Sequence, residues 1–392
     1  MRFFGMIRRL FCTVLLITLF VSPCLAEGVS DENKSFTVVD AGLDLTGEIS
    51  VHYPVLTGDG EIAGQVNALI QEKTGAAEYL SRAARLMVSG GSLKTEWRGG
   101  VMGGVLSAAV SAEGAVESSR STYLWTAVTV DLRDGHEIAF AELFTDEEAA
   151  REAITSWLEE TVAPDLSAHL LNSELTPLPE TFLIEQSGLT LMYPVSRLST
   201  LSDRAGDIRV GWNVLRDVLD LDEDSIPVRI GAEDMITMSA RSAERLRADA
   251  SEGSLTDIPV KIGDSMQELT DRWHMLTDPD GFEGGRLFFL EGGCFRGVSL
   301  MTDDLDRKWE KSKVKGIRMD QGCLWGLCPG ETPRSEWLTE MGIPDRTAEI
   351  DAEKAEMNRL VPGVCDYYRC GDYLLQLCSD EEETLVSIIL TL

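Results

Sequence analysis

The chain has 392 residues, of which 44% are apolar, and it carries a formal net charge of −31 at pH 7. Nucleic acid and anionic lipid faces are therefore excluded as partners, whereas a cationic protein would be attracted, although the same charge also serves solubility alone. The length predicts two or three domains, with ample apolar material for their cores.

The first element is a predicted export signal. Arginines precede an apolar run at 10–21, and Ala26 completes a small-residue cleavage site. We predict cleavage after Ala26, a secreted or cell-envelope location, and a flexible N-terminus at 27–36. Removing the signal takes away three arginines and no acid, which changes the net charge from −31 to −34. The alternative is an uncleaved anchor, because 10–26 matches the shortest membrane-spanning helices, roughly 17 residues.

Residues 37–220 are predicted to form an α+β domain with an antiparallel sheet, because strand runs and hairpins are interrupted by single amphipathic helices. The predicted elements are, in chain order, a strand at 45–56, a helix with Ile62, Val66, Leu69 and Ile70 on one face, strands at 101–110 and 122–132, a hairpin turn at Asp134-Gly135, a helix opened by a Thr145/Glu148 capping box, a hairpin at 182–193, and a strand at 208–212.

Residues 221–256 are predicted to be a connector. It begins with an acidic run at 220–224, which resembles part of a calcium loop but lacks the turn glycine and the terminal glutamate. A solvated linker is therefore the better interpretation, with a short exposed helix at 239–247.

Residues 257–392 contain a weak internal repeat. The segment 263–268 matches 330–335, each a cap followed by a short helix, and each helix is followed by strand-forming runs. Runs at 314–319 and 386–390 close the two copies. The pattern predicts a duplicated helix-plus-antiparallel-sheet module that keeps both copies together.

The cysteines of the predicted mature chain all lie in the last hundred residues. Because an even number of cysteines in an exported chain is typical of disulfides, we predict that they pair, with fifteen connectivities left open. Zinc binding by the two C-x4-C pairs is the rejected alternative, because structural zinc sites use shorter spacing. The disulfide candidates are Cys294, Cys323, Cys328, Cys365, Cys370 and Cys378.

The sequence contains no recognisable catalytic constellation. Its histidines, His52, His136, His169 and His274, have no metal-ligand spacing, and nucleophile-elbow and phosphate-loop motifs are absent. A glycosidase-type carboxylate pair has almost no specificity in so acidic a chain. We therefore expect no enzyme activity, no metal site and no cofactor.

Three aromatic residues of the strand region are binding candidates: Trp97, Tyr123 and Trp125. Exposed rings at such positions stack on sugars or anchor a protein interface. Core packing explains the same residues equally well, because strand alternation places Tyr123 and Trp125 on one face and one of the two faces must be buried.

Several motifs of the first domain resemble a known family. They are 51–54 followed by 66–70, 129–137 leading to 142–144, and 182–191 with the strand 208–210. In order and spacing they resemble the extracellular domain of RsiV-type anti-sigma factors, which is also an accessory domain of the peptidoglycan deacetylase PdaC. The resemblance covers about 170 residues and implies an extracellular binding module; RsiV-type members recognise lysozyme. A Gly-Gly-Ala-His stretch of the family is replaced here by residues 117–121.

The resemblance to this family also determines which function we expect. The chain shows neither a cytosolic anti-sigma segment nor a deacetylase domain, and its C-terminal repeats resemble, more weakly, those of β-lactamase-inhibitor-like and SmpA-type envelope proteins. We expect a non-catalytic, exported envelope protein that binds a cell-wall component such as peptidoglycan or a cationic wall-active protein such as lysozyme. The alternatives are an envelope hydrolase with a carboxylate site in the cleft between domains, or a structural scaffold. Ligand identity and oligomeric state stay open.

Overall fold

The computed structural model describes residues 36–58, 60–115, 122–162, 177–193, 207–272, 280–282, 285–289, 297–302, 308 and 311–392. The predicted signal peptide, most of the predicted flexible N-terminus, Cys294, and the histidines His169 and His274 lie outside these residues. The described chain is an α+β protein with several antiparallel sheets, which confirms the predicted fold class.

The first unit contains a two-stranded ribbon and a five-stranded sheet. β1 pairs with β4, and the larger sheet has the order β2-β3-β5-β6-β7, antiparallel except for the parallel pair β3–β5. Its strands are β1 (Thr37–Asp40), β2 (Leu43–Thr46), β3 (Ile49–Val51), β4 (Pro54–Thr57), β5 (Ser92–Met102), β6 (Val105–Ala115) and β7 (Thr122–Asp131).

Two predicted strands of this unit were wrong in extent. The expected strand at 45–56 is three pieces, because the chain turns after β2 and changes sheet between β3 and β4. The expected strand at 101–110 contains the β5–β6 turn, where Gly103 and Gly104 have φ of 52° and 74°. Glycine adopts this left-handed backbone without strain, so the apolar alternation continues through a turn that it does not reveal.

Two helices cover one face of the five-stranded sheet. α1 (Gly60–Thr74) was predicted, and its Val66 and Ile70 are buried against Leu106 and Val128. α2 (Ala76–Ser89) was not predicted; it follows directly after Gly75, whose φ of 71° breaks the helical path. The helices bury the face that carries the even-numbered residues of β6 and β7.

The opposite face of the sheet packs on a three-stranded antiparallel sheet of order β10-β9-β8. Ala109 of β6 lies in a small core with Leu183 and Met192. The predicted hairpin at 182–193 is confirmed, whereas Asp134-Gly135 leads to a single bridge between Val130 and Glu137 and then to a 3₁₀ turn. The elements are β8 (Phe182–Glu185), β9 (Gly188–Met192), β10 (Asp207–Gly211), 3₁₀ turns at Phe140–Leu143 and Trp212–Leu215, and α3 (Glu147–Trp157) with a π turn at Leu158–Val162.

The start of α3 differs from the predicted capping box. Asp146 is the N-cap, and its side chain accepts hydrogen bonds from the backbone N–H groups of Glu148 and Ala149. Thr145 donates its hydroxyl instead to the carbonyl of Val218. Aspartate and threonine are both good caps, so the sequence locates the helix start to within one residue.

The predicted connector at 221–256 is helical. It contains α4 (Ile226–Ile230), α5 (Ala232–Ile236) and α6 (Ala240–Ser251). The prediction of a short exposed helix at 239–247 was wrong: α6 is longer and buries Ala243, Leu246 and Ala250. Small alanines give only a weak apolar stripe in the sequence, although they allow close packing once the helix is docked.

The second unit is one eight-stranded antiparallel sheet of order β11-β12-β13-β14-β18-β17-β16-β15. The last strands of the two copies, β14 and β18, pair at its centre, and a helix opens each copy, so the predicted duplication is confirmed. The elements are α7 (Met266–Arg272), β11 (Asp280–Phe282), β12 (Gly285–Phe289), β13 (Val298–Thr302), β14 (Gly316–Met319), α8 (Arg334–Met341), β15 (Arg346–Ile350), α9 (Ala352–Asn358), β16 (Gly363–Cys370), β17 (Tyr373–Asp380) and β18 (Leu385–Thr391).

Four of the cysteines pair as predicted. Cys323 bonds to Cys328, and Cys365 bonds to Cys378 across neighbouring strands. Cys370 is buried and free, which corrects the expectation that every late cysteine pairs, and burial raises the pKa of its thiol. Cys365 and Cys370 are five residues apart on β16, so their side chains point to opposite faces of the strand and cannot act together.

A single large core joins the units. Its buried residues run from Val105 and Trp212 of the first unit, through Leu246 of α6, to Leu300 and Ile388 of the second. In the described part of the chain, no helix combines the length and apolarity that a bilayer crossing requires.

Candidate functional site

A cluster of charged and aromatic side chains lies on the surface of the first unit. His52 follows β3, Asp40 ends β1, Asp44 lies in β2 and Trp97 lies in β5. His52 Nδ1 is 2.7 Å from Asp40 Oδ2, and His52 Nε2 is 3.2 Å from Asp44 Oδ1. We call these four residues the His52 cluster.

The backbone around His52 is held on both sides. Its N–H donates to Thr95 Oγ1 at 2.7 Å, and the Thr95 hydroxyl donates back to the His52 carbonyl at 2.8 Å. A Cβ at position 42 would lie 2.3 Å from His52 Nδ1, so only glycine leaves room for the ring. The imidazole is therefore fixed between the two carboxylates.

This geometry favours the protonated imidazole. Only the imidazolium donates from both ring nitrogens, and each nitrogen faces a carboxylate oxygen. Partial burial by itself lowers the pKa of His52, but the hydrogen bonds that the ring donates to Asp40 and Asp44 outweigh it, so the pKa lies above its ordinary value. The cluster thus places two carboxyl groups against a histidine whose protonated form they stabilise.

Trp97, one of the sequence-predicted candidates, belongs to this cluster. Its indole Nε1–H donates to Asp40 Oδ1 at 2.9 Å, so Asp40 joins the histidine and the tryptophan. The ring is partly buried. Trp97 thus combines an aromatic surface with a fixed orientation, and the structure joins it to acidic residues that sequence reasoning did not link to it.

The other two aromatic candidates lie elsewhere. Trp97 pairs with Val110 and Trp125 with Ser111, neighbouring positions of β6, so the two tryptophans occupy opposite faces of the sheet. Trp125 packs near the β8–β9 core, with the guanidinium of Arg98 5.0 Å from its ring centre. Tyr123, in β7, pairs with Glu113 of β6. The three residues do not form one aromatic platform.

A second histidine is held in the same manner. His136 Nδ1 is 2.6 Å from Asp134 Oδ1, and His136 Nε2 is 3.0 Å from Glu142 Oε2. The hydrogen bond that His136 donates to Asp134 raises the pKa of His136 above its ordinary value, with Glu142 adding to the effect. Here Glu142 also accepts from the N–H of Ala139 at 2.6 Å, so one carboxylate is committed to the local turn.

Neither histidine cluster was predicted as a unit. His136 follows Asp134 by two residues, a local signal that the sequence carries, whereas the partners of the His52 ring come from two separate strands, β1 and β2. Within the described ranges, no group of three or more histidine, cysteine or acidic side chains has the arrangement of a metal site.

Comparisons with known proteins give distant fold similarities. No protein-family model and no curated protein match the chain. A DUF3298 family protein of Bacteroides fragilis is similar at 12% identity and a TM-score of 0.39, over 51% of this chain and 97% of its own. A DUF3298 family protein of Pseudomonas aeruginosa has 12% identity and a TM-score of 0.34, over 49% and 96%. A DUF4309 family protein of Bacillus subtilis, YjgB, has 14% identity and a TM-score of 0.28, over 39% and 97%.

Proposed function

We propose that the protein is a non-catalytic, exported envelope protein whose first unit binds a cationic wall-active protein such as lysozyme, with the His52 cluster in the interface. The observation that carries the proposal is the exposure of its carboxylates: the side chain of Asp44 is 76% exposed and that of Asp40 is 44% exposed. Among the described residues their side-chain partners are His52 and Trp97, and neither carboxylate forms an ion pair with lysine or arginine.

The chemistry of the cluster suits a lysine or arginine side chain. Exposed carboxylates accept charge-assisted hydrogen bonds from a guanidinium or ammonium group, and an indole beside them offers an apolar and cation-binding surface. Single exposed ion pairs contribute only about 0–1 kcal/mol, so affinity has to come from several contacts around an aromatic anchor. Trp97 is the anchor that the geometry supplies.

The charge of the whole molecule supports the same partner. A net charge of −31 attracts a basic protein over a range set by the Debye length, about 8 Å at physiological salt. The expected consequence is a fast association that weakens as salt is added. The sequence resemblance of 51–54 and the motifs that follow it to RsiV-type domains supports a partner of the lysozyme kind.

A retention experiment tests the proposal. The full mature chain is immobilised and challenged at low salt with lysozyme and, separately, with purified peptidoglycan; we expect lysozyme to be retained. The variant Asp40→Asn/Asp44→Asn should retain much less lysozyme. The matched control, Asp351→Asn/Glu353→Gln, removes two exposed charges from the second unit, and asparagine preserves the N-cap at 351. A wild-type chain that retains neither lysozyme nor peptidoglycan contradicts the proposal.

A further inference from the structure

A cavity of about 250 Å³ lies at the junction of the two units. One wall comes from the first unit, where the residues lie at the end of α3 and around the β9–β10 pair. The other wall comes from β13, β14 and the loop closed by the Cys323–Cys328 disulfide. The cavity shares no lining residue with the His52 cluster, and its walls combine strand residues such as Arg209, Val298 and Met319 with turns and loops.

The cavity contains a buried hydroxyl, that of Ser187, which lacks a hydrogen bond of good geometry although it lies near the carboxyl of Asp257 and lowers the pKa of that group. Ser187 is 7% exposed and lines the cavity, and its Oγ forms no hydrogen bond within the described part of the chain. Its backbone is fully used, since its N–H donates to Asp257 and its carbonyl accepts from the N–H of Trp212. Buried hydroxyl groups are nearly always hydrogen-bonded, so the Ser187 hydroxyl points to a bound polar group.

The charges around Ser187 are compensated. Arg209 lines the cavity, and its guanidinium lies 3.2 Å from Glu185 Oε2 and donates to the carbonyl of Asp257. Burial raises the pKa of the Asp257 carboxyl above its ordinary value. Glu331 also lines the cavity, and Arg216 lies 3.5 Å from its Oε2. The charged side chains of the walls thus have oppositely charged neighbours, which disfavours a free anion or a strongly cationic ligand.

The remaining wall residues include apolar and amide side chains. Trp157, Val298 and Met319 are apolar, and Asn213 and Gln321 carry side-chain amides. The Asn213 amide N–H donates to Glu331 Oε1 at 3.2 Å. A sugar ring has the matching pattern, because its faces are apolar C–H surfaces and its rim carries hydroxyl groups that donate and accept hydrogen bonds.

We propose that this cavity binds a neutral saccharide, with one ring inside and any second ring outside. The volume agrees with this size, since it falls below the 300–1,000 Å³ typical of pockets for larger organic ligands. The ring lies against Trp157, and one of its hydroxyl groups satisfies Ser187 Oγ. The site shares no residue with the His52 cluster, so the protein takes two unlike ligands.

Titration of the full mature chain tests the saccharide site, with N-acetylglucosamine, its β-1,4 disaccharide and glucose as probes and ligand-observed NMR as the readout. We expect saturable binding in the millimolar range. Ser187→Ala should weaken it about five- to tenfold, the effect of one lost hydrogen bond. Val214→Trp, which fills the cavity from its wall, should abolish it. Trp97→Leu, in the His52 cluster, is the matched control and should leave saccharide binding unchanged.

Three results would overturn the saccharide site: no saturation by any probe up to about 50 mM, equal binding by the parent chain, Ser187→Ala and Val214→Trp, or loss of binding in Trp97→Leu. Thermal unfolding of each variant shows whether it is folded, and Ser187→Ala decides the question if Val214→Trp is not. Lysozyme retention measured on the same samples keeps the two proposals apart.

Discussion

Carboxylates of the same kind have opposite roles in the two units. In the His52 cluster, Asp40 and Asp44 are exposed and face a histidine whose pKa they raise. In the second unit, Asp366 is fully buried and accepts hydrogen bonds from Arg334 Nε at 2.8 Å, Arg334 Nη2 at 2.9 Å and Thr347 Oγ1 at 2.6 Å. Arginine partners mark the acids that hold the fold, and their absence from the His52 cluster marks acids that remain available to a ligand.

A buried aspartate with an arginine partner, like Asp366, also lies at the junction of the units. Asp131, at the end of β7, is buried, and Arg229 of α4 lies 2.6 Å from its Oδ2. Arg133 makes a second, more exposed contact with the same carboxylate. Despite burial, the hydrogen bonds from the two arginines lower the pKa of Asp131. This ion pair fixes the first unit to the helices that precede the second.

The largest effect should come from Asp366→Asn. It breaks the buried ion pair with Arg334, whose guanidinium keeps only the exposed Glu383 as a charged partner, so we expect a loss of about 3–5 kcal/mol in the free energy of unfolding. Urea denaturation measures it. Asp351→Asn, at an exposed pair with Lys354, is the control and should leave the urea midpoint unchanged. Equal stability of both variants would remove the distinction between structural and available acids.

A smaller loss is expected for Arg229→Met at the junction. Asp131 then keeps only Arg133, and we expect the free energy of unfolding to fall by about 1–3 kcal/mol. Arg133→Met, whose side chain is mostly exposed, should lower it by less than about 1 kcal/mol. If the two substitutions destabilise the chain equally, or if Arg133→Met is worse, the pair between Asp131 and Arg229 does not hold the junction.

The histidines and the buried acids should also differ in the pH range where they act. The raised pKa values of His52 and His136 mean that their contribution is complete below about pH 6.5 and is lost as pH rises through the folded-state pKa. The lowered pKa values of Asp131 and Asp366 mean that theirs is present above about pH 4 and is lost as pH falls through the folded-state pKa.

The free energy of unfolding of His52→Gln, measured between pH 6 and 9, tests the expected pH dependence of the histidine contribution. Because solvent screens partly exposed pairs, we expect the wild-type chain to lose less than about 1 kcal/mol per histidine over this range, and the variant to lose correspondingly less. His136→Gln is the parallel case. A wild-type chain that becomes more stable through this range, by an amount that the two variants lack, would reverse the assigned direction.

Much of the architecture was accessible from local sequence patterns. The apolar spacing of α1 and the paired helix starts at 263–268 and 330–335 predicted real elements, because each pattern is contained within one segment. α2 was not predicted and α6 was predicted to be exposed, since alanine-rich faces carry little hydrophobic contrast. The strands at 45–56 and 101–110 were merged, because alternation continues through short turns.

The candidate site was less accessible for a different reason. Trp97 was identified as a candidate, but its link to Asp40 depends on the pairing of β1 with β4 and of β3 with β5, which no local pattern reveals. The partners of His52 are separated from it by 8 and 12 residues across two turns. Ser187 gave no signal at all, because a serine in a hairpin turn is ordinarily a solvated residue.

The rate and the affinity with which lysozyme binds the immobilised chain, measured at low and physiological salt, test the role of the exposed carboxylates most directly. We expect Asp40→Asn/Asp44→Asn to weaken the affinity about tenfold, against less than about threefold for Asp351→Asn/Glu353→Gln. Both double variants should associate more slowly as salt increases. Equal effects of the two double variants, or no association of the wild-type chain at low salt, would contradict a binding surface at the His52 cluster.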